Sequence, residues 1–184
     1  MNTYISMLRG INVSGQKIIR MVELASLYES LGFMNVRTYV QSGNVVFDTA
    51  PTDGAKLSTL IASAIKKKFG YVVVVVVRTR DELSHIIQRN PFLKDPKIDR
   101  SKLHVTFLSE LPQPAILKQL QPIKGETDEF KVIGQEVYLH CPNGYGRTKY
   151  SNAFFEKALK TSATTRNWNT VNRLFELSRP RGPE

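Results

Sequence analysis

Four loop segments of this chain carry residue types that could hold an anion. The first is Arg9-Gly10-Ile11-Asn12-Val13-Ser14-Gly15, which follows an apolar run and precedes a helical pattern. Its glycines permit tight turns and close approach of the backbone to a ligand, and exposed N–H groups in such a loop can form an anion-binding nest. Its ordinary reading is a strand–helix turn, because the spacing is neither the dinucleotide fingerprint nor a P-loop. The second is Arg37-Thr38-Tyr39-Val40-Gln41-Ser42-Gly43-Asn44, a polar hairpin in which Gln41, Ser42 and Asn44 could orient a ligand beside Arg37. Turn chemistry accounts for the same residue types.

The third segment, Asn143-Gly144-Tyr145-Gly146-Arg147-Thr148-Lys149, combines two glycines, two cations and the start of a helix, the parts of a phosphate site. Thr148 or Ser151 serves equally well as a helix cap. The order Gly-Arg-Thr-Lys departs from the Walker pattern, so no nucleotide hydrolysis follows from it. The fourth, Arg166-Asn167-Trp168-Asn169, opens the last helix. Asn167 or Asn169 is a natural N-cap and Trp168 a core residue. An Arg at a helix start opposes the helix dipole, which favours an anion or acidic partner there.

No catalytic residue is nominated. His85, His104 and His140 have no ligand-like spacing, and His104 and His140 fall in strand patterns. Cys141 beside a strand reads as packing. The acidic residues show no paired-carboxylate pattern, so no metal and no cofactor is expected.

These loops must be positioned by regular elements. Strand patterns cover 3–8, 36–40, 45–47 and the valine run 72–77, the last suited to a central strand covered on both faces. Helical stripes cover 21–31 and 57–69, closed by Gly32 and Gly70. The order is β-α-β-β-α-β, followed by a helix over 80–88 and breaks at Asn90-Pro91 and Asp95-Pro96. The second half repeats it: strands at 103–108, 129–133, 136–140 and 161–166, with helices at 114–120, 150–159 and 168–177. The expected fold is α+β, with two tandem ferredoxin-like (split βαβ) subdomains and a C-terminal helix. Subdomain one spans 1–79, the connecting helix and linker 80–102, and subdomain two with its helix 103–178. The tail 179–184 is expected to be flexible. In a split βαβ unit the loop after strand one and the hairpin after strand two leave the same end of the sheet. Residues 9–17 should therefore lie beside 41–44, and 141–149 beside 166–169. The RNA-recognition module shares this topology, but the strand Asn44-Val45-Val46-Phe47 lacks its Gly-Phe-rich pattern.

Composition sets the partner class. The 184 residues carry 26 Lys and Arg against 16 Asp and Glu, a net charge of +10. That excess favours an anionic small molecule or nucleic acid. The longest apolar run, 71–77, is too short to span a bilayer, so no membrane partner is expected. The N-terminus has no secretory pattern. With a single cysteine, no intramolecular disulfide forms, which suits the cytoplasm.

The segments Leu8-Arg9-Gly10-Ile11-Asn12-Val13, Arg37 to Val45, Asn90-Pro91-Phe92, Gly146-Arg147-Thr148-Lys149 and Thr165 to Val171 resemble, in the same order, the motifs of the DUF1697 family of bacterial proteins. Ser14-Gly15 departs from the paired glycines usual in that family. The resemblance implies a compact α/β protein and no established activity. It places Arg9, Asn12, Gln41, Asn44, Arg147, Lys149, Arg166 and Asn169 in signature motifs. The function expected is binding of a phosphorylated, nucleotide-like or nucleic-acid ligand through the Arg/Gly/Asn loops. The alternatives are an enzyme acting on a phosphorylated small molecule through electrostatic stabilisation, and a protein-interaction module.

Overall fold

The computed structural model describes residues 1–179; the rest of the tail, residues 180–184, lies outside them. The fold is mixed α+β. Among the described residues it contains two four-stranded antiparallel sheets and six helices.

The chain divides into two compact units, Met1–His85 with the segment from Arg173, and Ile86–Asn172. The first unit runs β1 (Asn2–Leu8), α1 (Met21–Ser30), β2 (Met34–Tyr39), β3 (Asn44–Thr49), α2 (Gly54–Phe69) and β4 (Val75–Thr79). Helix α3 (Arg80–Gln88) follows. The sheet order is β2-β3-β1-β4 with every pair antiparallel, so β1 and β2 run parallel with β3 between them. Local chemistry explains the helix ends. Asp53 accepts the Ala55 N–H at 2.8 Å, and Gly70, at φ 77°, closes α2 with its N–H on the Lys66 carbonyl. Leu57, Ile61 and Ile65 recur every four residues and are buried. They pack with Tyr4, Leu8, Tyr28, Phe33 and Phe47 in one apolar cluster, in which Phe33 stacks on Phe47 at 4.5 Å.

The valine run departs from expectation. The strand is Val75–Thr79, and it is an edge strand, not a central one. Residues 70–74 instead form a connecting segment in which the Val72 and Val74 carbonyls accept from the Lys17 Nζ and the Arg9 N–H. β-Propensity alone could not choose among six equivalent valines. Pairing with β1 does so, setting Leu8 opposite Val75 and Tyr4 opposite Thr79.

The second unit contains two short 3₁₀ turns (Pro91–Lys94 and Arg100–Lys102), β5 (Leu103–Leu108), α4 (Pro114–Leu117), β6 (Glu129–Ile133) and β7 (Glu136–His140). A third 3₁₀ turn (Tyr145–Arg147), α5 (Asn152–Leu159) and β8 (Ala163–Asn167) follow, and α6 (Trp168–Leu177) starts in this unit, its residues from Arg173 counting with the first. The sheet order β6-β7-β5-β8 repeats that of the first. The repetition extends to individual residues. Arg78 on β4 and Arg166 on β8 are both buried and sit opposite Ile5 and Val105. Each donates to the carbonyl of the residue before it, at 3.0 and 2.9 Å. Each strand then runs into a capped helix. Thr79 and Glu82 form a reciprocal capping box on α3, and Asn167 accepts the Thr170 N–H at 2.7 Å on α6.

Candidate functional site

In the first unit, the loop after β1 is held open by unusual backbone. Gly10, Asn12, Ser14, Gly15 and Lys17 all have φ between 46° and 73°. Three of these are not glycine, in a region that L-residues enter at a cost. The compensation is visible at Asn12. Its side-chain amide donates to the carbonyls of Ile19 (2.9 Å) and Gln41 (2.8 Å), and its Oδ1 accepts the Ile19 N–H at 2.8 Å. One side chain thus closes the loop and ties it to the β2–β3 turn. Asn44 does the same inside the turn, donating to the Tyr39 carbonyl and to Ser42 Oγ, both at 3.0 Å. Gly43 adopts φ 78°, and a Cβ there would meet Ile11 Cδ1 at 2.7 Å and Leu8 Cβ at 2.8 Å. The two motifs meet through these contacts, as the crossover rule requires.

The side chains of Asn12 and Asn44 therefore face backbone. Arg37 is half-buried and its Nε donates to the Asn35 carbonyl at 3.2 Å. Arg9 is half-buried at the end of β1, while Gly10 and Gln41 are exposed.

Beside Arg9, the same end of the unit gathers five cations that lie outside the four sequence motifs. Lys17 donates to the Val72 carbonyl at 2.8 Å and Lys68 to the Glu23 carbonyl at 3.4 Å. These bonds bring together the loop after β1, the start of α1, the end of α2 and the segment before β4. Segments 9–23 and 66–74 contribute Arg9, Lys17, Arg20, Lys66, Lys67 and Lys68 against one acidic residue, Glu23. Among the described residues no carboxylate pairs with Lys17, Arg20, Lys66, Lys67 or Lys68. The run Lys66-Lys67-Lys68 was the available sequence signal. It reads as ordinary helix C-terminal charge, which it also is.

In the second unit the candidates separate. Arg147 is exposed in the third 3₁₀ turn, and Lys149 is paired with Glu126 at 2.6 Å, which raises its pKa. Arg166 is buried and donates to Thr164 Oγ1 at 2.8 Å, and burial lowers its pKa to about 10. Asn167 caps α6, and Asn169 is exposed in that helix's first turn. The loop 141–149 does lie at the end of the sheet where β8 finishes. Tyr145 from that loop stacks on His104 at 4.9 Å, and His104 is paired with Asn167 across β5 and β8. Burial lowers the His104 pKa by more than a hydrogen bond to the Lys102 backbone raises it. Cys141 is buried, and desolvation, together with the charge of Asp128, pushes its thiol up to about 11.

Among the described residues no three His, Cys, Asp or Glu side chains converge as a metal site. A shallow open depression of about 570 Å³ lies on α2, lined by Ala55, Lys56, Thr59, Leu60 and Ser63, and contains none of the candidates. No helix of the described residues is long and apolar enough to cross a membrane.

No functionally curated protein matches the sequence. Among solved structures the chain is similar to the conserved bacterial protein SP0830 from Streptococcus pneumoniae, with a TM-score of 0.76 and 18% identity. The match covers 97% of this chain and 99% of that one, and at this identity it speaks for the fold alone. Residues 1–138, from β1 into β7, match the family model described as a protein of unknown function, and the chain belongs to the DUF1697 family.

Proposed function

We propose that the protein binds an anionic partner through the loop end of its first unit. The observation that carries this reading is the charge imbalance there: six cations against one acidic residue, on a framework braced by Asn12 and Asn44. Among the described residues, Lys17, Arg20, Lys66, Lys67 and Lys68 have no carboxylate partner, so this end carries a local excess of positive charge that is screened by salt. Arg9, Gly10, Gln41 and Ser42 lie at the same end, with Arg37 further back along β2. Asn12 and Asn44 act by holding the loop and turn in register. Arg147 and Asn169 offer further exposed contacts in the second unit, on a smaller scale.

On the strand order and the β-α-β-β-α-β connectivity, we read each unit as a ferredoxin-like subdomain. A lone buried thiol is consistent with a reducing, cytoplasmic setting.

The test is titration of the full chain with polyphosphate and with a mixed-sequence oligonucleotide. Neutralising about four phosphates should weaken binding roughly a hundredfold between low and physiological salt. Replacing Lys66, Lys67 and Lys68 by Ser should lower both the affinity and the salt slope. A flat salt response, or affinity indifferent to the triple substitution, overturns the reading.

A further inference from the structure

The basic end of the first unit is also its most apolar exposed surface. Nine large hydrophobic side chains are exposed among the described residues, and five of them stand at this end: Val13 (56%), Ile18 (56%), Val22 (79%), Val40 (49%) and Val72 (70%). They come from four separate segments: the loop after β1, the first turn of α1, the β2–β3 turn and the stretch before β4. Those segments are held to one another by the Asn12–Gln41, Lys17–Val72 and Lys68–Glu23 hydrogen bonds. Val40 is presented at φ 51°, a left-handed conformation in which a β-branched residue is an outlier. The fold thus sustains backbone strain at a residue whose side chain stays in water.

Resting on the anion-binding reading above, we infer that this end docks on the surface of an acidic lipid bilayer. The cations lie over the headgroups and the aliphatic tips enter the boundary between headgroups and acyl chains. Basic side chains interleaved with apolar ones are what a peripheral membrane contact requires, since electrostatic attraction to anionic lipid and burial of apolar area add. The protein would lie on the membrane without spanning it, which revises the expectation of no membrane partner, since that rested only on the lack of a spanning segment. Two features favour lipid over nucleic acid. The exposed tips are aliphatic, whereas single strands are held by aromatic stacking planes. The nearby aromatics, Tyr39, Phe69 and Tyr71, are all half-buried, and Phe69 and Tyr71 pack against the apolar core. A second copy of the chain is disfavoured by charge, because a symmetric contact would set six cations against six.

The experiment is flotation of the full chain with vesicles of phosphatidylcholine alone and of phosphatidylcholine mixed with phosphatidylserine. Binding is expected on the acidic vesicles only. Val13→Ser, Ile18→Ser and Val72→Ser together keep every charge and alter only exposed positions. This variant should lose about tenfold or more in vesicle affinity, following the apolar area removed, while polyphosphate binding stays unchanged. Circular dichroism confirms that the variant is folded. Vesicle binding indifferent to the aliphatic substitutions overturns the insertion and leaves the anion reading standing. So does absence of vesicle binding alongside tight binding of oligonucleotide or polyphosphate. Sedimentation that reveals a dimer abolished by the same substitutions assigns the apolar tips to self-association and overturns the membrane inference. Loss of binding to every anion overturns both readings.

Discussion

At the scale of single residues, the sequence motifs turn out to serve two different ends. Asn12, Asn44 and Asn167 satisfy backbone groups of loop, turn and helix cap. Arg147, Gln41 and Asn169 stay exposed. Residue type alone does not separate these roles, because an amide that could hold a ligand is equally able to hold a carbonyl. Two residues permit direct tests. Cys141 is buried and its thiol pushed up to about 11, so thiol-specific reagents should label it orders of magnitude more slowly in the native protein than in denaturant. Labelling of the native protein at the rate of a free thiol would contradict the burial. His104 is buried against Tyr145 with its pKa lowered. The unfolded chain therefore takes up the proton first as pH falls. The stability contributed by neutral His104 is complete above the unfolded value of about 6.5 and declines as pH drops below it. Urea midpoints measured at neutral and mildly acid pH should show this decline, and His104→Phe should make it shallower.

At the scale of elements, the β2–β3 turn and the loop after β1 form one object. Gly43 has φ 78° and touches Ile11 and Leu8, so Gly43→Ala combines a left-handed penalty with overpacking. A loss of about 2–4 kcal/mol is expected in urea unfolding. Asn12→Ala leaves the Ile19 N–H and C=O without their side-chain partner and releases the Gln41 carbonyl. It should cost about 2 kcal/mol and accelerate hydrogen exchange at the Ile19 amide. Unchanged exchange there would show that the loop holds its shape without Asn12. The periodic elements were legible in sequence because their signals are local. Leu57, Ile61 and Ile65 form the buried stripe of α2, and Asp53 and Gly70 mark its ends. The valine run was misread because a homopolymeric β-former contains no register information. Its pairing is chosen by Leu8 and Tyr4, some seventy residues away in the chain.

At the scale of the whole chain, a net charge of +10 is a sum that says nothing of placement. Within the first unit the fold concentrates cations at one end. Asp48 and Asp53, by contrast, fall at the end of β3 and the start of α2, away from the turn at Gly43. This asymmetry predicts that Lys17→Ser with Arg20→Ser weakens retention on a cation exchanger more than neutralising two scattered lysines such as Lys118 and Lys160. Equal shifts would show that net charge alone governs binding.

The sequence by itself determined the α+β class, the repeated element order, the glycine stops of the first two helices and the membership of the loops in recognisable motifs. All of these rest on neighbours within a few positions in the chain. The crossover rule extended this reach one step, placing residues 9–17 beside 41–44, and the Asn12–Gln41 hydrogen bond joins them. Tertiary structure alone decided that Arg166 is buried beside Thr164 while Arg147 is exposed, and that Lys149 is neutralised by Glu126. It alone brought Lys17 to Val72 and Lys68 to Glu23, assembling a basic, aliphatic face from segments up to fifty-five residues apart. Burial and charge pairing depend on which chain segments meet, and that is decided by long-range strand pairing and core packing.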